Sequence, residues 1–378
     1  MIPYVIIPVL HNSKIPTVLE VTTMKRIRIN YFYKVLLLVG LNSIMAYSQP
    51  LSNSQIKVIT DTTIFPAGAL GSCHASTIVE LNPGIFMAAW FAGSHEGAND
   101  VGIWISTFRN DKWTEPVEAA KGMDSLGHRL PCWNPVLFKT KNNSLFLFYK
   151  VGINPREWEG YVIKSSDNGK NWTQPEALPH GFLGPIKAKP IQLPNGNILC
   201  PSSVEKENGS WSIHLEITKE NLSSWKKVKI NKDDSVGVIQ PTILRHPDGK
   251  LEMLCRSRQN SIYQTWSDDN GLHWSKLEKT SLPNPNSGID AVSLADGNFI
   301  LVYNPLLHGA EWFNGRNVLN VAVSNDGINW KDIYQLENKK KGQFSYPAVI
   351  QASDKSIHIT YTYNRETIKY VVLRIGKY

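Results

Sequence analysis

The chain has 378 residues, of which 42% are hydrophobic and 19% are charged, and its formal net charge is +8. This length and apolar share are ample for a large folded domain. Residues 1–48 hold five of the basic residues and one acidic residue, so a chain without them carries a net charge of only +4. That modest charge does not favour a nucleic acid as partner.

The N-terminal segment predicts export. Four basic residues between positions 25 and 34 precede an apolar run at 35–41, and Ala46-Tyr47-Ser48 forms a small-x-small cleavage site. This order is typical of a secretory signal peptide. The apolar run is too short for a spanning helix, so we expect no stable membrane insertion, with a membrane anchor as the alternative. We predict an extension and signal peptide over 1–48, one domain over 49–378, and a secreted or periplasmic location.

Three copies of one short pattern stand out in the rest of the chain. The pattern is S-x-D-x-G-x-x-W, at residues 165–172 and 267–274 and, one residue shorter, at 324–330. Each copy, called an Asp box below, follows a run of alternating apolar residues. Asp and Asn bind nearby backbone amides, Gly supplies a positive φ, and Trp packs under the turn, so each Asp box predicts a tight hairpin.

The hairpins belong to a repeat that covers the domain. Its closing tryptophan recurs every 49 to 59 residues, at Trp113, Trp172, Trp225, Trp274 and Trp330. Six strands open the units, at 75–81, 135–140, 190–193, 241–245, 291–294 and 347–351. Because the apolar runs are short and separated by Pro, Gly, Asn and Asp, the sequence predicts an all-β fold, a six-bladed β-propeller. A strand at 55–64 would complete the last blade and close the ring.

The cysteines indicate neither a metal site nor a required disulfide framework. Cys73, Cys132, Cys200 and Cys255 each lie at an apolar strand pattern, so we predict buried free thiols, although export would permit disulfides. No Cys and His cluster has the spacing of a zinc site. We therefore predict no metal and no other cofactor.

In a propeller, the loops that enter the first strands converge into one funnel on the ring axis. The residues just before the predicted openings are polar or aromatic: His74, Trp133, Asn134, Lys187, Lys189, Gln240, Asp290 and Tyr346. Further polar residues follow the second strands: Glu96, Asp100, Lys150, Glu205, Arg256, Arg258 and Arg365. This mixture of cations, Tyr, His and a few carboxylates suits an anionic, hydroxyl-rich ligand.

Two features of this predicted funnel point to an acidic sugar. Arg256 and Arg316 belong to separate blades beside the axis, and two guanidiniums aimed at one space suit a carboxylate or sulfate. Trp133, Trp158 or Trp312 could stack on a sugar ring. The Asp boxes lie far from the funnel and are predicted to be structural.

The Asp boxes, the six units and the signal peptide resemble the sialidase (neuraminidase) superfamily over essentially the whole predicted mature chain. The resemblance implies three arginines that bind the substrate carboxylate, a tyrosine nucleophile polarised by a glutamate, and an aspartate as acid/base. Tyr346, in F-S-Y-P-A-V, stands at the position of the nucleophile. Arg256, in L-C-R-S, and Arg316, in G-R-N-V, resemble the second and third arginines.

The chain departs from this pattern at two positions. His74 replaces the first arginine, and Gln240 stands where the glutamate partner of the nucleophile is expected. Glu205 of the neighbouring blade is a candidate substitute. Asp100 is the first candidate for the acid, with Glu96 and Glu205 less favoured.

Three functions therefore stay open, each with a glycan or oligosaccharide as partner and a monomer as the expected state. The first is an exo-acting glycoside hydrolase that removes a terminal sialic acid or uronate. The second is a polysaccharide lyase or rhamnose–glucuronate-cleaving enzyme in which His74 and Tyr346 form the acid/base pair. The third is a carbohydrate-binding propeller without catalysis.

Overall fold

The computed structural model of the protein describes residues 56–230, 236–311 and 313–376. The predicted signal peptide and extension, and also Trp312, lie outside these ranges. The described chain folds into six antiparallel sheets arranged as the blades of a β-propeller. Among the described residues, no helix has the length and apolar character needed to cross a membrane.

The first three blades follow the chain in order. Blade one is the largest and contains β2 (Ser72–Asn82), β3 (Ile85–Gly93), β4 (Gly102–Arg109), β5 (Lys112–Trp113), β6 (Val117–Met123) and β7 (Arg129–Leu130). Blade two contains β8 (Cys132–Lys139), β9 (Leu145–Val151), β10 (Glu159–Ser165) and β11 (Glu176–Ala177). Blade three contains β12 (Ile191–Gln192), β13 (Ile198–Glu205), β14 (Trp211–Thr218) and β15 (Lys226–Lys229).

The last three blades include the one that closes the ring. Blade four contains β16 (Val238–Arg245), β17 (Leu251–Ser257), β18 (Ser261–Ser267) and β19 (Glu278–Pro283). Blade five contains β20 (Asp290–Ser293), β21 (Phe299–Tyr303), β22 (Val318–Ser324) and β23 (Lys331–Asn338). Blade six contains β24 (Phe344–Gln351), β25 (Ile357–Tyr363), β26 (Thr367–Ile375) and, as its outer strand, β1 (Ile56–Thr63).

The ring closure predicted from the sequence is thus confirmed. β1 pairs antiparallel with β26, so the N-terminal end of the described domain completes the last blade. First strands of neighbouring blades contact one another around much of the ring, as β2 does with β8 and β24, and as β20 does with β16 and β24. A closed ring leaves only short sheet edges open to pairing with another chain.

Apolar side chains fill the spaces between the blades. Trp90, Phe148 and Tyr361 are each 0% exposed. They belong to three separate clusters, which join blades one and six, blades two and three, and blades five and six, respectively. Burial of one such side chain contributes about 1.5–3 kcal/mol, so these layers carry much of the stability. All four cysteines are buried with free thiols, as predicted.

The Asp boxes form the predicted turns, between the third and fourth strands of blades two, four and five. In the first box, Asp167 Oδ1 accepts hydrogen bonds from the Ser165 hydroxyl and from the backbone N–H groups of Lys170 and Asn171. Hydrogen bonds lower the pKa of Asp167 to about 2, and the bond from the Asn171 backbone N–H makes the largest contribution. A carboxylate so fully used by its own turn is structural.

One feature of the inner strands was not predicted. The pairing register shifts in β2, β8, β16 and β24, after His74, Trp133, Ile239 and Ser345. At each of these β-bulges one non-glycine residue has a positive φ: Ala75, Asn134, Gln240 and Tyr346. The sequence patterns placed Asn134, Gln240 and Tyr346 just before the strands and began the first strand at Ala75, whereas a bulge accommodates all four inside the strands and redirects their side chains.

Candidate functional site

Tyr346 lies at the centre of the candidate site. It is the third residue of β24, its φ of 54° places it at the bulge, and it is partly exposed. Its ring packs against His74, with 4.1 Å between the ring centroids. On another side Gly288 lets the backbone of blade five approach, since a Cβ there would lie 3.2 Å from the Tyr346 ring. The tyrosine is therefore held in one orientation by blades one and five.

Two donors converge on the Tyr346 hydroxyl. Arg256 Nη1 donates to this oxygen at 2.7 Å, and Gln240 Nε2 donates to it at 3.2 Å. Arg256 Nη1 also donates to Gln240 Oε1 at 3.1 Å, which orients the amide so that its NH₂ faces the tyrosine. Gln240 thus occupies the position beside the phenol where the resemblance implies a glutamate.

Arg256 and Arg316 meet at Asn286. Arg256 Nε donates to Asn286 Oδ1 at 2.7 Å, and Arg316 Nη2 donates to the Asn286 carbonyl oxygen at 2.9 Å. Burial lowers the pKa of Arg316 to about 10, and the charges of Arg256 and then Arg365 act in the same direction. Sequence reasoning missed Asn286, although the Asn-, Pro- and Gly-rich run at 284–288 before blade five was a signal of an unusual loop.

His74 is buried and neutral. Burial is the largest cause that lowers the pKa of His74 well below its ordinary value. The charges of Arg365, Arg316 and Arg256 lower this pKa further. His74 Nδ1 lies 2.9 Å from the Thr362 hydroxyl oxygen, which also accepts from the Ala75 N–H at 3.2 Å. A hydroxyl that accepts from the Ala75 N–H can also donate its own hydrogen to Nδ1, and the direction of this hydrogen bond depends on the tautomer of the imidazole.

The three candidate carboxylates have different surroundings. Glu96 Oε2 accepts from Arg365 Nη1 at 2.7 Å, and its charge also acts on Arg316. Asp100 is instead used by its own loop, where it accepts from the backbone N–H and hydroxyl of Ser94. Glu205 accepts from Trp211 Nε1 at 3.0 Å. Glu96 thus lies beside Arg365, whereas Asp100 is turned into its own loop.

Tryptophans line two sides of the funnel. Trp133 and Trp158 pack edge to face with 6.0 Å between their centroids, and Trp133 Nε1 donates to the Gly152 carbonyl at 2.7 Å. Trp133 is 6% exposed, so it offers a ligand little more than an edge. Trp211, which the sequence did not single out, lies beneath the guanidinium of Arg256 at 5.4 Å.

Four sequence-predicted binding residues are engaged by other groups of the protein or buried. Lys150 is completely buried and donates to the Pro185 carbonyl, so no ligand can reach it. Lys189 Nζ and Asp290 Oδ2 pair at 2.9 Å on the axis, where Asp290 also binds Thr242 and the Val349 N–H. Asn134 is buried at the bulge of blade two. These predictions treated every strand end as open to the funnel, whereas packing between blades covers several of them.

Comparison with known proteins assigns the chain to a family. Residues 84–359 match the model described as the BNR repeat-like domain. The chain belongs to the BNR repeat-like domain family. Among curated proteins, this BNR protein is 21% identical over 243 residues to the anhydrosialidase of Macrobdella decora, across 57% of the chain and 31% of the relative. The match thus spans about a third of the relative's length.

Solved structures show the same fold. A protein of unknown function from Dyadobacter fermentans has a TM-score of 0.70 and 17% identity, over 85% of the BNR protein and 99% of its own chain. The Trypanosoma rangeli sialidase has a TM-score of 0.67 and 17% identity, over 83% and 59%. The intramolecular trans-sialidase from Ruminococcus gnavus has a TM-score of 0.66 and 13% identity, over 85% and 98%. The BNR protein is therefore a sialidase-like propeller in fold.

Proposed function

We propose that the protein is an exported, sialidase-like exo-glycoside hydrolase that removes a terminal acidic sugar, a sialic acid or a uronate, from a glycan. The observation that carries this proposal is the Arg256 guanidinium on the hydroxyl of a single partly exposed tyrosine, with the Arg316 guanidinium joined to it through Asn286. Such a cationic site suits a sugar with a carboxylate. A neutral phenol suits attack on that sugar because a carboxylate nucleophile would be repelled.

The geometry supports a division of roles. The Tyr346 oxygen would attack the anomeric carbon while the bond to the leaving oxygen breaks. Glu96, at the rim, would supply the proton that the leaving oxygen needs after it has left its ion pair with Arg365 and taken up a proton from water. The nucleophile's own proton must also leave, and it would pass to water at the partly exposed tyrosine while Arg256, which donates to the phenol oxygen, stabilises the phenolate.

The experiment compares turnover of fluorogenic glycosides of N-acetylneuraminic acid and glucuronic acid with that of a neutral galactoside. We expect hydrolysis of one acidic glycoside and none of the galactoside. Tyr346→Phe should lower kcat/KM about a hundredfold or more, because it removes the reacting oxygen. Tyr334→Phe, a change of the same kind on an outer strand, should leave kcat/KM unchanged. Turnover of the acidic glycoside by Tyr346→Phe at the original rate would contradict the proposal.

One observation favours a second function, elimination from a uronate. Gln240 stands where a carboxylate would serve a nucleophile, while a neutral histidine contacts Tyr346 directly. A His and Tyr pair of this kind can move a proton from C5 of a uronate to the leaving oxygen, with the arginines stabilising the enolate. Ultraviolet absorbance of the conjugated product would select this function, whereas release of a saturated reducing sugar would exclude it.

A further inference from the structure

The indole of Trp211 lies against two guanidiniums of the next blade. Trp211 is the first residue of β14 in blade three and is 7% exposed. The Cζ atoms of Arg256 and Arg258, at the end of β17 and just after it, lie 5.4 Å and 3.8 Å from the centroid of the Trp211 ring. An aromatic ring attracts a cation within about 6 Å, and more strongly where water is excluded. Trp211 therefore links blade three to the arginine that reaches the Tyr346 hydroxyl.

Glu205 fixes the orientation of this indole. Glu205 and Trp211 are paired in register at the end of the β13–β14 pair, and Trp211 Nε1 donates to Glu205 Oε2 at 3.0 Å. A carboxylate that accepts the indole N–H polarises the ring towards greater electron density, which strengthens its attraction for a cation. In addition, Arg258 Nη1 donates to the Gly209 carbonyl at 2.8 Å, in the turn that joins β13 to β14. The ring is thus held by its own blade and by the next one.

Arg256 needs such a contact because, among the described residues, its hydrogen bonds involve no anion. Its guanidinium donates to Asn286, to Gln240 and to the Tyr346 hydroxyl, which are all neutral groups. Arg256 is only 8% exposed, so water offsets little of its charge. A buried cation is costly unless another group of the protein offsets it. The electron-rich face of Trp211, with Glu205 on its N–H, is such a group.

We propose that Trp211 is a positioning residue, which holds the Arg256 guanidinium on the Tyr346 hydroxyl through a cation–π contact, and that Glu205 strengthens this contact by accepting the indole N–H. This inference rests on the proposed function, in which Arg256 acts on the phenol oxygen. It gives Glu205 a part that reaches the reaction only through two other side chains, rather than a part as acid or base. Because Gln240 carries no charge, blade three supplies the anion instead.

The first test observes the guanidinium itself and needs no substrate. In nuclear magnetic resonance spectra of the protein with isotope-labelled arginine, a guanidinium held by several partners rotates slowly about its Nε–Cζ bond and gives separate Nη signals. Arg256→Met identifies the signals that belong to Arg256. We expect Trp211→Leu to merge these signals, whereas Trp211→Phe, which keeps an aromatic face, should leave them separate. Separate Arg256 signals in Trp211→Leu would overturn the proposal.

The second test asks whether Trp211 affects turnover through Arg256. We expect Trp211→Leu to lower kcat/KM on the acidic glycoside by at least about tenfold, the effect of losing a desolvated cation–π contact. On the residual activity of Arg256→Met, the same substitution should change kcat/KM by less than about threefold, because residues in contact couple whereas independent residues add. An equal loss in both backgrounds would mean that Trp211 acts independently of Arg256, against the proposal.

Trp225→Leu is the matched control for the change at Trp211. Trp225 is a partly buried tryptophan of the same blade, and its Nε1 donates to the Leu222 carbonyl at 3.0 Å in a turn away from the funnel. Folded Trp225→Leu should keep both the Arg256 signals and kcat/KM. A loss of either in this variant would show that general packing of blade three, rather than the ring contact, sets Arg256.

Two substitutions at Glu205 test the second half of the proposal. Glu205→Gln keeps an acceptor for the indole N–H and should lower kcat/KM less than Glu205→Leu does. Unchanged kcat/KM and Arg256 signals in Glu205→Leu would overturn the part given to Glu205. If the unaltered protein turns over no acidic glycoside while the Arg256 signals respond to Trp211→Leu as expected, the proposed function fails and the positioning contact stands.

Discussion

Gln240 Nε2 lies 3.2 Å from the Tyr346 hydroxyl oxygen, and the amide is oriented by Arg256. An amide in this place donates a hydrogen bond to the phenol but cannot accept its proton. A carboxylate could do so. The difference between the two groups makes Gln240 the most informative position for testing whether Tyr346 acts as a nucleophile.

Gln240→Glu should raise the rate of hydrolysis. The glutamate would accept the phenolic proton, and a well-placed general base typically contributes about a hundredfold or more to the rate. We expect kcat to rise at least about tenfold, since the contact with Arg256 makes the carboxylate a weaker base. Single-turnover rates on the acidic glycoside measure the effect. Gln240→Met, of similar volume but without a proton acceptor, should show no increase, and an equal rise in both variants would contradict the role of Tyr346.

Thr362→Val should impair the reaction more than binding. It removes the hydroxyl that meets both His74 Nδ1 and the Ala75 N–H, which leaves two buried polar groups without that partner. We expect a loss of about 1–3 kcal/mol in the free energy of unfolding and a shift in the pH profile of kcat, with the Kd of the acid little changed. Thr362→Ser keeps the hydroxyl and should restore the profile. A normal pH profile in Thr362→Val would show that the hydroxyl does not set the state of His74.

The stability of the protein should rise with pH just above neutrality. Burial lowers the pKa of Lys150 to about 7 and that of Lys187 to about 8. An unfolded lysine keeps its proton to about pH 10, so between pH 7 and about 8.5 the unfolded chain binds more protons than the folded chain. The free energy of unfolding then increases by up to about 1.4 kcal/mol per pH unit for each lysine.

Denaturant unfolding at several pH values measures this slope. Lys150→Met should reduce it, whereas Lys141→Met, at an exposed position, should not. The buried thiols act in the opposite direction, but only where unfolded cysteines ionise, above about pH 8.5. A slope that is unchanged in Lys150→Met would mean that this lysine keeps its proton in the folded state.

Two glycine substitutions should separate backbone strain from close packing. Gly196 and Gly327 have φ values of 83° and 76°, but a Cβ would meet nothing within 4 Å at Gly196 and would lie 2.1 Å from Glu252 Oε2 at Gly327. We expect Gly196→Ala to cost about 1 kcal/mol of unfolding free energy and Gly327→Ala about 2 kcal/mol more. Both variants should keep the kcat/KM of the folded protein, because both turns lie away from the funnel. Equal losses of stability would contradict the packing shown at Gly327.

The blade count and the ring closure could be read from the sequence because they depend on local patterns. The spacing of tryptophans such as Trp172 and Trp274 reflects one hairpin per blade, and the short apolar runs reflect strands. The extra strands β5–β7 of blade one have only two or seven residues and no such pattern, so they were not predicted.

The site was only partly predictable. Tyr346, Arg256 and Gln240 were identified because inner strands converge on the axis. The burial of Lys150 depends on packing between blades, which the sequence around Lys150 does not indicate. The different surroundings of Glu96 and Asp100 depend on the path of one loop, in which the Ser94 hydroxyl donates a hydrogen bond to Asp100. The positive φ values of Asn364 and Arg365 depend on a turn geometry that the letters Asn-Arg do not specify.

The most direct test of the central claim is to trap the reaction on the protein. A fluorinated analogue of the acidic sugar with a good leaving group should form a slowly hydrolysed adduct, and mass spectrometry of the digested protein should find it on the peptide that contains Tyr346. Tyr346→Phe should give no adduct. Complete turnover of the analogue with no adduct on Tyr346, or an adduct on another residue, would contradict the account.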